Sequence, residues 1–297
     1  MSHIENSYEA HKRNFNERTE EVEARLFHIK HQSCLQYQLI KQTLDQLSPF
    51  LQTPASWLTV GDYNGLEANY LLNQKQQAVA SDISEFFLKE AKIAGLIDQY
   101  KTINVEAIDY PADTFDYVFC KEAFHHFPRA FLGLYEMIRC AKKAAILIEP
   151  IDVLSKMPTL LFLKNVLDRI DPLLINKIWK NRFSFEIVGN YVFKVSERDI
   201  EKIAMGMGLP LIAFKRINLI LEPKIPTAAL TETPMNQRHW KRVQRKIKRK
   251  NFLSKLHILP YNHLCCVVFK DAPSLTVLQH MKQAGYFILP HPKNPYL

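Results

Sequence analysis

The chain has 297 residues, of which 47% are hydrophobic and 23% are charged. This composition excludes disordered, collagen-like and coiled-coil proteins and is sufficient for one large core or two smaller ones. The net charge is +9, and its excess lies in segment 237–257, which has nine basic residues and no acidic one. These nine are Arg238, Lys241, Arg242, Arg245, Lys246, Lys248, Arg249, Lys250 and Lys255. The other 30 basic residues equal the 30 acidic ones, so the rest of the chain is neutral.

The first half of the chain predicts helices followed by a parallel sheet. In residues 1–55 apolar side chains recur every three or four positions, which predicts an N-terminal helical cap. From 56 to 150 short apolar runs alternate with helical stretches. Strands are predicted at 57–60, 78–80, 102–105, 117–120 and 144–148. Strands separated by helices need crossover connections, so we expect an α/β core with helices on both faces of the sheet.

Residues 151–195 break this rhythm with a largely apolar helical stretch. Their position after the fifth strand and their aromatic content predict a helical lid insert over an acceptor, which would be partly apolar or ring-shaped. Ordinary core packing is the alternative. The aromatic residues are Phe162, Trp179, Phe183, Phe185 and Tyr191.

The remaining residues are predicted to complete the sheet. In 196–270, Ser196 is a plausible helix cap, and strands are expected at 211–221 and 264–269. Between these two strands lies a basic helical insertion, 222–260. Residues 271–297 are predicted to form a C-terminal tail with one short helix and a proline-rich end.

A glycine loop follows the first predicted strand and opens a helix. It contains Gly61, Asp62, Tyr63 and Gly65, and glycines at such a turn let a ligand approach the backbone closely. Twenty-one residues past Gly61, Asp82 ends the second strand, where a carboxylate can accept both hydroxyls of a ribose. The alternatives are a simple tight turn at the glycines and a helix-capping role for Asp82.

Two further pairs follow the next strands. Glu106 and Ala107 come after the third, and Cys120 and Lys121 end the fourth. The carboxyl ends of parallel strands share one edge of the sheet, which is where open α/β sheets bind ligands. We therefore expect the glycine loop, Asp82 and both pairs to meet at one site.

Segment 57–150 resembles the class I methyltransferases that use S-adenosylmethionine, in particular their small-molecule type, methyltransferase type 11. The likeness lies in three stretches, FDYVFCKEAFHHFP from Phe115, YEMIRC from Tyr135 and AILIEP from Ala145. It implies a Rossmann-like, doubly wound sheet of seven strands, mostly parallel with the last strand antiparallel. It also implies S-adenosylmethionine as the cofactor.

The resemblance also implies roles for individual residues. Gly61 and Gly65 would border the methionine and ribose of the cofactor, and Asp82 would hold the ribose hydroxyls. Ile83 would lie against the adenine. The other implied contacts are with the adenine amino edge, by Glu106 and Ala107, and with the methionine end, by Cys120 and Lys121.

The glycine loop departs from the family pattern at two positions. Thr59 stands where the family usually has an acidic residue that orients the methionine amino group, and Tyr63 replaces the middle glycine. Asp62 is a candidate substitute for the acidic residue.

Candidate bases for a hydroxyl acceptor are His125, His126 and Glu149. The histidines follow the fourth strand, close to the expected methyl position, and histidine titrates in a useful pH range. Shaping the pocket is the alternative for the histidines, and capping or ion pairing is the alternative for Glu149. No metal site is predicted, because the spacing of His28, His31 and Cys34 is explained by an amphipathic helix.

These features favour an enzyme that methylates a small-molecule, glycan or lipid-linked acceptor. The alternatives are an RNA methyltransferase that uses 237–257, and a module that binds S-adenosylmethionine without catalysis. A dehydrogenase is disfavoured because the loop is G-x-x-x-G rather than G-x-G-x-x-G.

The basic segment and the cysteines indicate where in the cell the protein is expected. Segment 237–257 suits an anionic membrane surface or a phosphate-bearing ligand ahead of nucleic acid, and a solvated face without a partner is the alternative. The five cysteines lack disulfide-like spacing, the first 25 residues do not resemble a signal peptide, and no apolar run approaches the ~18 residues of a membrane span. We therefore expect a cytoplasmic protein, with peripheral attachment to the inner face of the membrane as a further option.

Overall fold

A computed structural model describes residues 3–16, 19–152, 157–171, 173, 184–186, 190–220, 234–293 and 295–296. The helices of this part are α1 (His3–Asn16), α2 (Val22–Lys30), α3 (Leu35–Leu44), α4 (Leu66–Asn73), α5 (Phe86–Ile93), α6 (Ala130–Cys140), α7 (Pro158–Ile170), α8 (Glu197–Gly206), α9 (Pro234–Lys255) and α10 (Leu275–Gln283). The strands are β1 (Ser56–Val60), β2 (Gln77–Asp82), β3 (Gln99–Thr102), β4 (Phe115–Lys121), β5 (Ala141–Pro150), β6 (Leu211–Ile217), β7 (His263–Phe269) and β8 (Phe287–Pro290).

The strands form one sheet in the order β3-β2-β1-β4-β5-β7-β6-β8. Strands β1 to β5 pair in parallel, whereas β7 runs antiparallel to both β5 and β6, and β8 antiparallel to β6. Val60, at the end of β1, is level with Ser81 on β2 and Cys120 on β4. The strand order reverses between β1 and β4, which makes their carboxyl ends the expected ligand site of this Rossmann-like sheet.

The expected count of seven strands is wrong by one, because the described part of the chain has eight. The extra strand, β8, lies in the segment predicted as a tail, with Leu289 level with Ile212 and Ile288 level with Ala213. It has only four residues and ends at Pro290, so it leaves little period-2 pattern to detect. Strand β3 also lies three residues earlier than expected, and Val105–Ala107 form a 3₁₀ turn.

Alternation along the strands divides the core between the two faces of the sheet. Trp57 of β1 packs in one cluster with Leu26 of α2 and Leu44 of α3, whereas Leu58 packs in the other with Leu134 of α6. The sheet is therefore covered on both sides, as a doubly wound fold requires. Residues 1–55 contribute to the first cluster, so the predicted cap shares the core of the sheet.

The C-terminal elements agree with the sequence in part. Strand β6 starts at Leu211 as predicted but ends at Ile217, so residues 218–220, which were expected to continue the strand, lie outside it. Helix α8 begins after Ser196, whose hydroxyl accepts the backbone N–H of Asp199 at 3.1 Å. Residues 221–233, which include the start of the predicted insertion and the last residue of the predicted strand 211–221, lie outside the described residues. Helix α9 occupies the described part of that insertion. None of the helices in the described ranges is long and apolar enough to cross a bilayer.

All five cysteines are unpaired and buried, namely Cys34, Cys120, Cys140, Cys265 and Cys266. The Sγ atom of Cys34 accepts the backbone N–H of Tyr37 at 3.4 Å and so caps α3. Burial raises the pKa of Cys265 to about 12, which keeps this thiol protonated.

Tyr286 joins the C-terminal elements to the N-terminal helices. Its buried hydroxyl donates to the carbonyl oxygen of Gln46 at 2.8 Å and lies 3.1 Å from Sγ of Cys265. We expect Tyr286→Phe to lower the free energy of unfolding by about 1–2 kcal/mol, because it leaves the carbonyl without this donor. Urea unfolding measures this change.

The control is Tyr135→Phe, which removes a hydroxyl from a side chain that is 43% exposed. It should leave stability unchanged. Equal stability of both variants would show that the Tyr286 hydroxyl does not hold the C-terminal elements.

Candidate active site

A cavity of about 340 Å³ lies at the carboxyl ends of β1, β2 and β4. Its wall consists of the glycine loop after β1, the end of β2, the segment before the 105–107 turn and the loop after β4. Helices α1 and α2 and the segment 184–186 complete it. Five residues of the predicted site line this cavity, namely Gly61, Tyr63, Asp82, Ile83 and His126.

Gly61 allows two loops to touch at the floor of the cavity. Its φ is +69°, and a Cβ built on it would lie 2.3 Å from Cβ of Ala123 in the loop after β4. Both the backbone conformation and the close approach therefore require glycine. Gly65 has a φ of +75° and does not line the cavity. A Cβ built on it would lie 2.8 Å from Cγ2 of Ile97.

Asp62 faces the helix that the glycine loop opens. Its Oδ2 accepts the hydroxyl of Thr59 at 2.8 Å and the backbone N–H of Ala68 at 2.9 Å, and Oδ1 accepts the N–H of Glu67 at 3.3 Å. Burial and the adjacent Glu67 raise the pKa of Asp62. The carboxyl group of Asp62 thus caps the first turn of α4. It also binds Thr59, the residue that departs from the family pattern.

Lys121 forms a buried ion pair beneath the same loop. Its Nζ lies 2.9 Å from Oε1 of Glu67 and 3.6 Å from Oε2 of Glu122. Burial alone would lower the pKa of Lys121, but Glu67 and Glu122 raise it above its usual value. Lys121 is therefore a fixed cation behind the cavity wall.

Asp82 presents a buried carboxylate to the cavity. Its Oδ1 accepts the backbone N–H of Ser84 at 2.9 Å, and the Ser84 hydroxyl in turn accepts the N–H of Phe86 at the start of α5. The hydroxyl of Ser84, rather than the carboxylate of Asp82, therefore binds the first N–H group of α5. Burial raises the pKa of Asp82 to about 6, since the ionised carboxylate has few partners to replace water.

The segment after β3 turns different side chains to the cavity than the sequence predicts. Asn104 and Val105 line it, whereas Glu106 is buried and Ala107 is exposed. Oxygens of Glu106 accept the backbone N–H and the Nε–H of Arg129, both at 2.6 Å. Glu106 therefore fixes the start of α6.

A buried carboxylate holds the loop after β4. Oε1 of Glu149, a fully buried residue at the end of β5, accepts the backbone N–H groups of Ala123 and Phe124 at 2.8 and 2.9 Å. Its Oε2 lies 2.7 Å from Nδ1 of His125, and Sγ of Cys120 lies 3.7 Å from Oε1. Three of the predicted site residues, Cys120, His125 and Glu149, thus form one cluster behind the cavity wall.

Glu122 begins the same loop with a strained backbone. Its φ is +50°, which non-glycine residues rarely adopt, and its side chain lines the cavity. Oε1 accepts a hydrogen bond from Nε2 of His263 on β7 at 2.8 Å. Burial would raise the pKa of Glu122, but His263 and Lys121 lower it to about 2, so this carboxylate stays ionised.

A carboxylate between two imidazoles closes one side of the cavity. Oε1 of Glu186 contacts Nδ1 of His126, and Oε2 lies 3.5 Å from Nε2 of His11 on α1. Burial would raise the pKa of Glu186, but the two histidines lower it to about 2. Segments from the N-terminal helix, the β4 loop and the predicted lid insert meet at this cluster.

Residues outside the predicted set also line the cavity, namely Tyr8, His11, Arg25, Asn104, Val105, Glu122 and Glu186. The Tyr8 hydroxyl is buried near Glu106, Asn104 and Arg129, and burial together with the Glu106 carboxylate raises its pKa. Arg25 lies 6.0 Å from the ring centroid of Tyr63 and accepts, through its carbonyl oxygen, the side-chain N–H of Asn64 at 3.0 Å. The sequence gives little indication that Tyr8, His11 and Arg25 line a cavity, because the pattern of an amphipathic helix does not show which part of the protein the helix packs against.

The aromatic residues of the predicted lid are only partly described. Phe185 and Tyr191 are 66% and 40% exposed and pack edge to face, with ring centroids 5.8 Å apart. Phe162 on α7 is 71% exposed. Trp179 and Phe183 lie outside the described residues.

The His125–Glu149 pair makes the stability of the protein depend on pH. Burial would lower the pKa of His125, but the hydrogen bond and charge of Glu149 raise it above its usual value. The pair therefore stabilises the fold fully below about pH 6.5 and loses this contribution as pH rises through the folded pKa.

We expect His125→Gln to destabilise the protein most at low pH, with a difference from the original chain that shrinks between pH 6.5 and 9. Urea unfolding across this range measures it. His31→Gln, at an exposed histidine, should show no such trend. A constant difference at all pH values would contradict an ionised pair.

Residues 58–148 match the family model described as a methyltransferase domain. The comparison with curated proteins gave no match. A structure of an S-adenosylmethionine-dependent methyltransferase from Archaeoglobus fulgidus is 14% identical, with a TM-score of 0.48 over 79% of this chain and 94% of that one.

A magnesium protoporphyrin IX methyltransferase from Synechocystis with bound S-adenosylmethionine is 12% identical, with a TM-score of 0.47 over 89% of this chain and 97% of that one. Similarity this low does not identify an acceptor. The family match, in contrast, spans β1 to β5 and the cavity at their carboxyl ends. Residues 58–148 of this chain are therefore similar to the methyltransferase domain of type 11.

Proposed function

We propose that this chain transfers the methyl group of S-adenosylmethionine to a small-molecule acceptor, free or carried on a glycan or a lipid. The observation that carries the proposal is the buried carboxylate of Asp82 in a cavity at the switch point of the sheet. Ligand hydroxyls that donate to this carboxylate would replace the water it lost on folding.

The residues of the cavity fit such a cofactor. Asp82 would accept the ribose hydroxyls, and Ile83 and Val105 would enclose the adenine. Gly61 lets the backbone approach the methionine end. The buried hydroxyl of Tyr8 supplies a further polar group in the same cavity.

Enclosure favours a small acceptor. Tyr8 and His11 of α1 and Arg25 of α2 line one side of the cavity, and Glu186 lines another. The cavity, which the cofactor would share with the acceptor, is thus enclosed on several sides, and this restricts the entry of a bulky acceptor. A base within folded RNA would have to pass between α1, α2 and the segment that carries Glu186 to reach the cavity, which makes RNA a less suitable acceptor.

His126 is the candidate base that reaches the cavity. S-adenosylmethionine supplies a methyl group already activated on a sulfonium. Glu186 contacts Nδ1 of His126, which fixes the ring and leaves Nε2 to take the proton of an acceptor hydroxyl. His125 and Glu149 would act as positioning residues, since Glu149 binds the backbone of the loop that carries His126.

The proposal predicts that Asp82→Asn weakens the binding of S-adenosylmethionine by at least about tenfold, because a neutral amide accepts fewer and weaker hydrogen bonds. Affinity of the original chain should also fall as pH drops below about 6, where Asp82 takes up a proton. Isothermal titration calorimetry from pH 5 to 8 measures both effects.

Asp109→Asn is the matched control, because Asp109 forms an exposed ion pair with Lys101. Its affinity should equal that of the original chain. Folded protein that does not bind S-adenosylmethionine would refute the proposed function, and tight binding by Asp82→Asn would refute the ribose assignment alone.

We expect His126→Gln to lower kcat by about 10²–10⁴-fold, the usual contribution of a general base, while the Kd for S-adenosylmethionine changes less than about twofold. Transfer of a radiolabelled methyl group to a panel of hydroxylated sugars, lipids and aromatic compounds measures kcat. Undiminished transfer by the variant would remove His126 as the base. Binding without transfer to any member of a broad panel would favour a non-catalytic module.

A further inference from the structure

Helix α9 presents a continuous basic face to solvent. The exposed basic residues of this outer face are Arg238, Lys241, Arg242, Arg245, Lys246, Lys248, Arg249 and Lys255. The helix has no acidic residue in its 22 positions, so repulsion among these cations is not relieved along the helix itself. A surface of this kind gains free energy by meeting a dense array of negative charge.

The opposite face of α9 packs on the protein. Val243 is fully buried, and Asn236 and Ser254 are 8% and 2% exposed. Trp240 and His239, the side chains that could stack on nucleobases, are only half-exposed next to this inner face. The outer face therefore offers cations but little aromatic surface for stacking.

Exposed apolar side chains extend the outer face at its C-terminal end. Phe252 is 61% exposed, and Leu256 and Ile258 in the following turn are 53% and 58% exposed. We call these three residues the apolar tip. Apolar groups of this size gain free energy when they enter the acyl boundary of a bilayer.

A second exposed apolar surface lies on α7. Phe162 and Ile170 of α7 are 71% and 69% exposed. Met157, directly before α7, lines one small cleft together with His257 and Leu259, which follow α9. The start of α7 and the turn that follows α9 therefore line the same cleft.

Both elements emerge at the edge of the sheet that holds the cavity. Pro150 at the end of β5 is level with His263 at the start of β7, and the N–H of Ile151 donates to the carbonyl oxygen of Asn262 at 3.1 Å. His263 also binds Glu122 in the cavity wall. The segment that follows α9 is therefore one hydrogen bond from the candidate active site.

We propose that the outer face of α9, its apolar tip and the exposed face of α7 form a docking surface for an anionic lipid bilayer. The basic face binds the headgroups, and the apolar tip and α7 insert at the acyl boundary. This arrangement seats the cavity edge of the sheet towards the membrane. The proposal does not depend on which acceptor the enzyme methylates.

The exposed aliphatic side chains favour a lipid bilayer over RNA as the partner of this surface. Both partners satisfy the basic residues, but Leu256, Ile258 and Ile170 have no favourable contact on a phosphate backbone. Membrane binding uses cations and aliphatic groups together, which is the combination that α9 and α7 display.

The test compares sedimentation of the full chain with two vesicle types, phosphatidylcholine alone and phosphatidylcholine with about 30% phosphatidylserine. Only the anionic vesicles should bind strongly. The triple variant Arg242→Glu, Arg245→Glu, Arg249→Glu should lose at least about a hundredfold in partitioning, since each basic residue near an anionic surface contributes about fivefold and reversal of its charge adds repulsion. The matched control Lys89→Glu, Lys142→Glu, Lys282→Glu has the same change in charge on other elements and should retain binding.

The triple variant Phe252→Ser, Leu256→Ser, Ile258→Ser tests insertion separately. It should bind anionic vesicles at low salt but be released at a lower salt concentration than the original chain, because only the electrostatic part is screened. Circular dichroism with thermal unfolding confirms that all variants are folded.

Equal vesicle binding by the charge-reversed variant and its control would overturn the proposal. So would a chain that ignores anionic vesicles but binds a single-stranded RNA of about 20 nucleotides through the outer face of α9, which would make this face a nucleic-acid surface. A chain that binds neither would show a solvated face, and would overturn the proposal as well.

Discussion

The buried carboxylate of Glu149 is the contact on which the candidate site depends. It lies at the end of β5 without exposure to water, and it binds two backbone N–H groups and one imidazole in the loop after β4. A buried carboxylate that lost these donors would bear its full desolvation cost, so the loop has one favourable position. That position brings Ala123 against Gly61, and the junction of the two loops forms the floor of the cavity.

Ion pairs lie behind the wall of the cavity. Lys121 pairs with Glu67 below the glycine loop, and Arg129 binds Glu106 at the start of α6. These groups fix the backbone near the site, whereas Asp82, Glu122, Glu186 and Arg25 line the cavity itself. In the proposed site, the buried carboxylate of Asp82, whose pKa is raised, would favour ligands that donate hydroxyl hydrogen bonds over ligands that do not.

The sequence allowed the sheet core and the place of the site to be predicted, because strand, loop and helix alternate with clear periods from 56 to 150. Asp82 could be placed because it ends a strand. The orientation of side chains between 104 and 107 could not, since one 3₁₀ turn decides which of them face the cavity. Nor could the contributions of Tyr8 and Glu186, which are distant in sequence and meet the site only through tertiary packing.

The five buried thiols can report local opening of the fold. Cys34 caps α3 and the other four lie in β4, α6 and β7, so the thiols occupy both faces of the sheet, and each is 1% exposed or less. A thiol reagent can reach them only when the layer that covers them opens. The rate of modification therefore measures how often each layer separates from the sheet, cysteine by cysteine, in the unaltered chain.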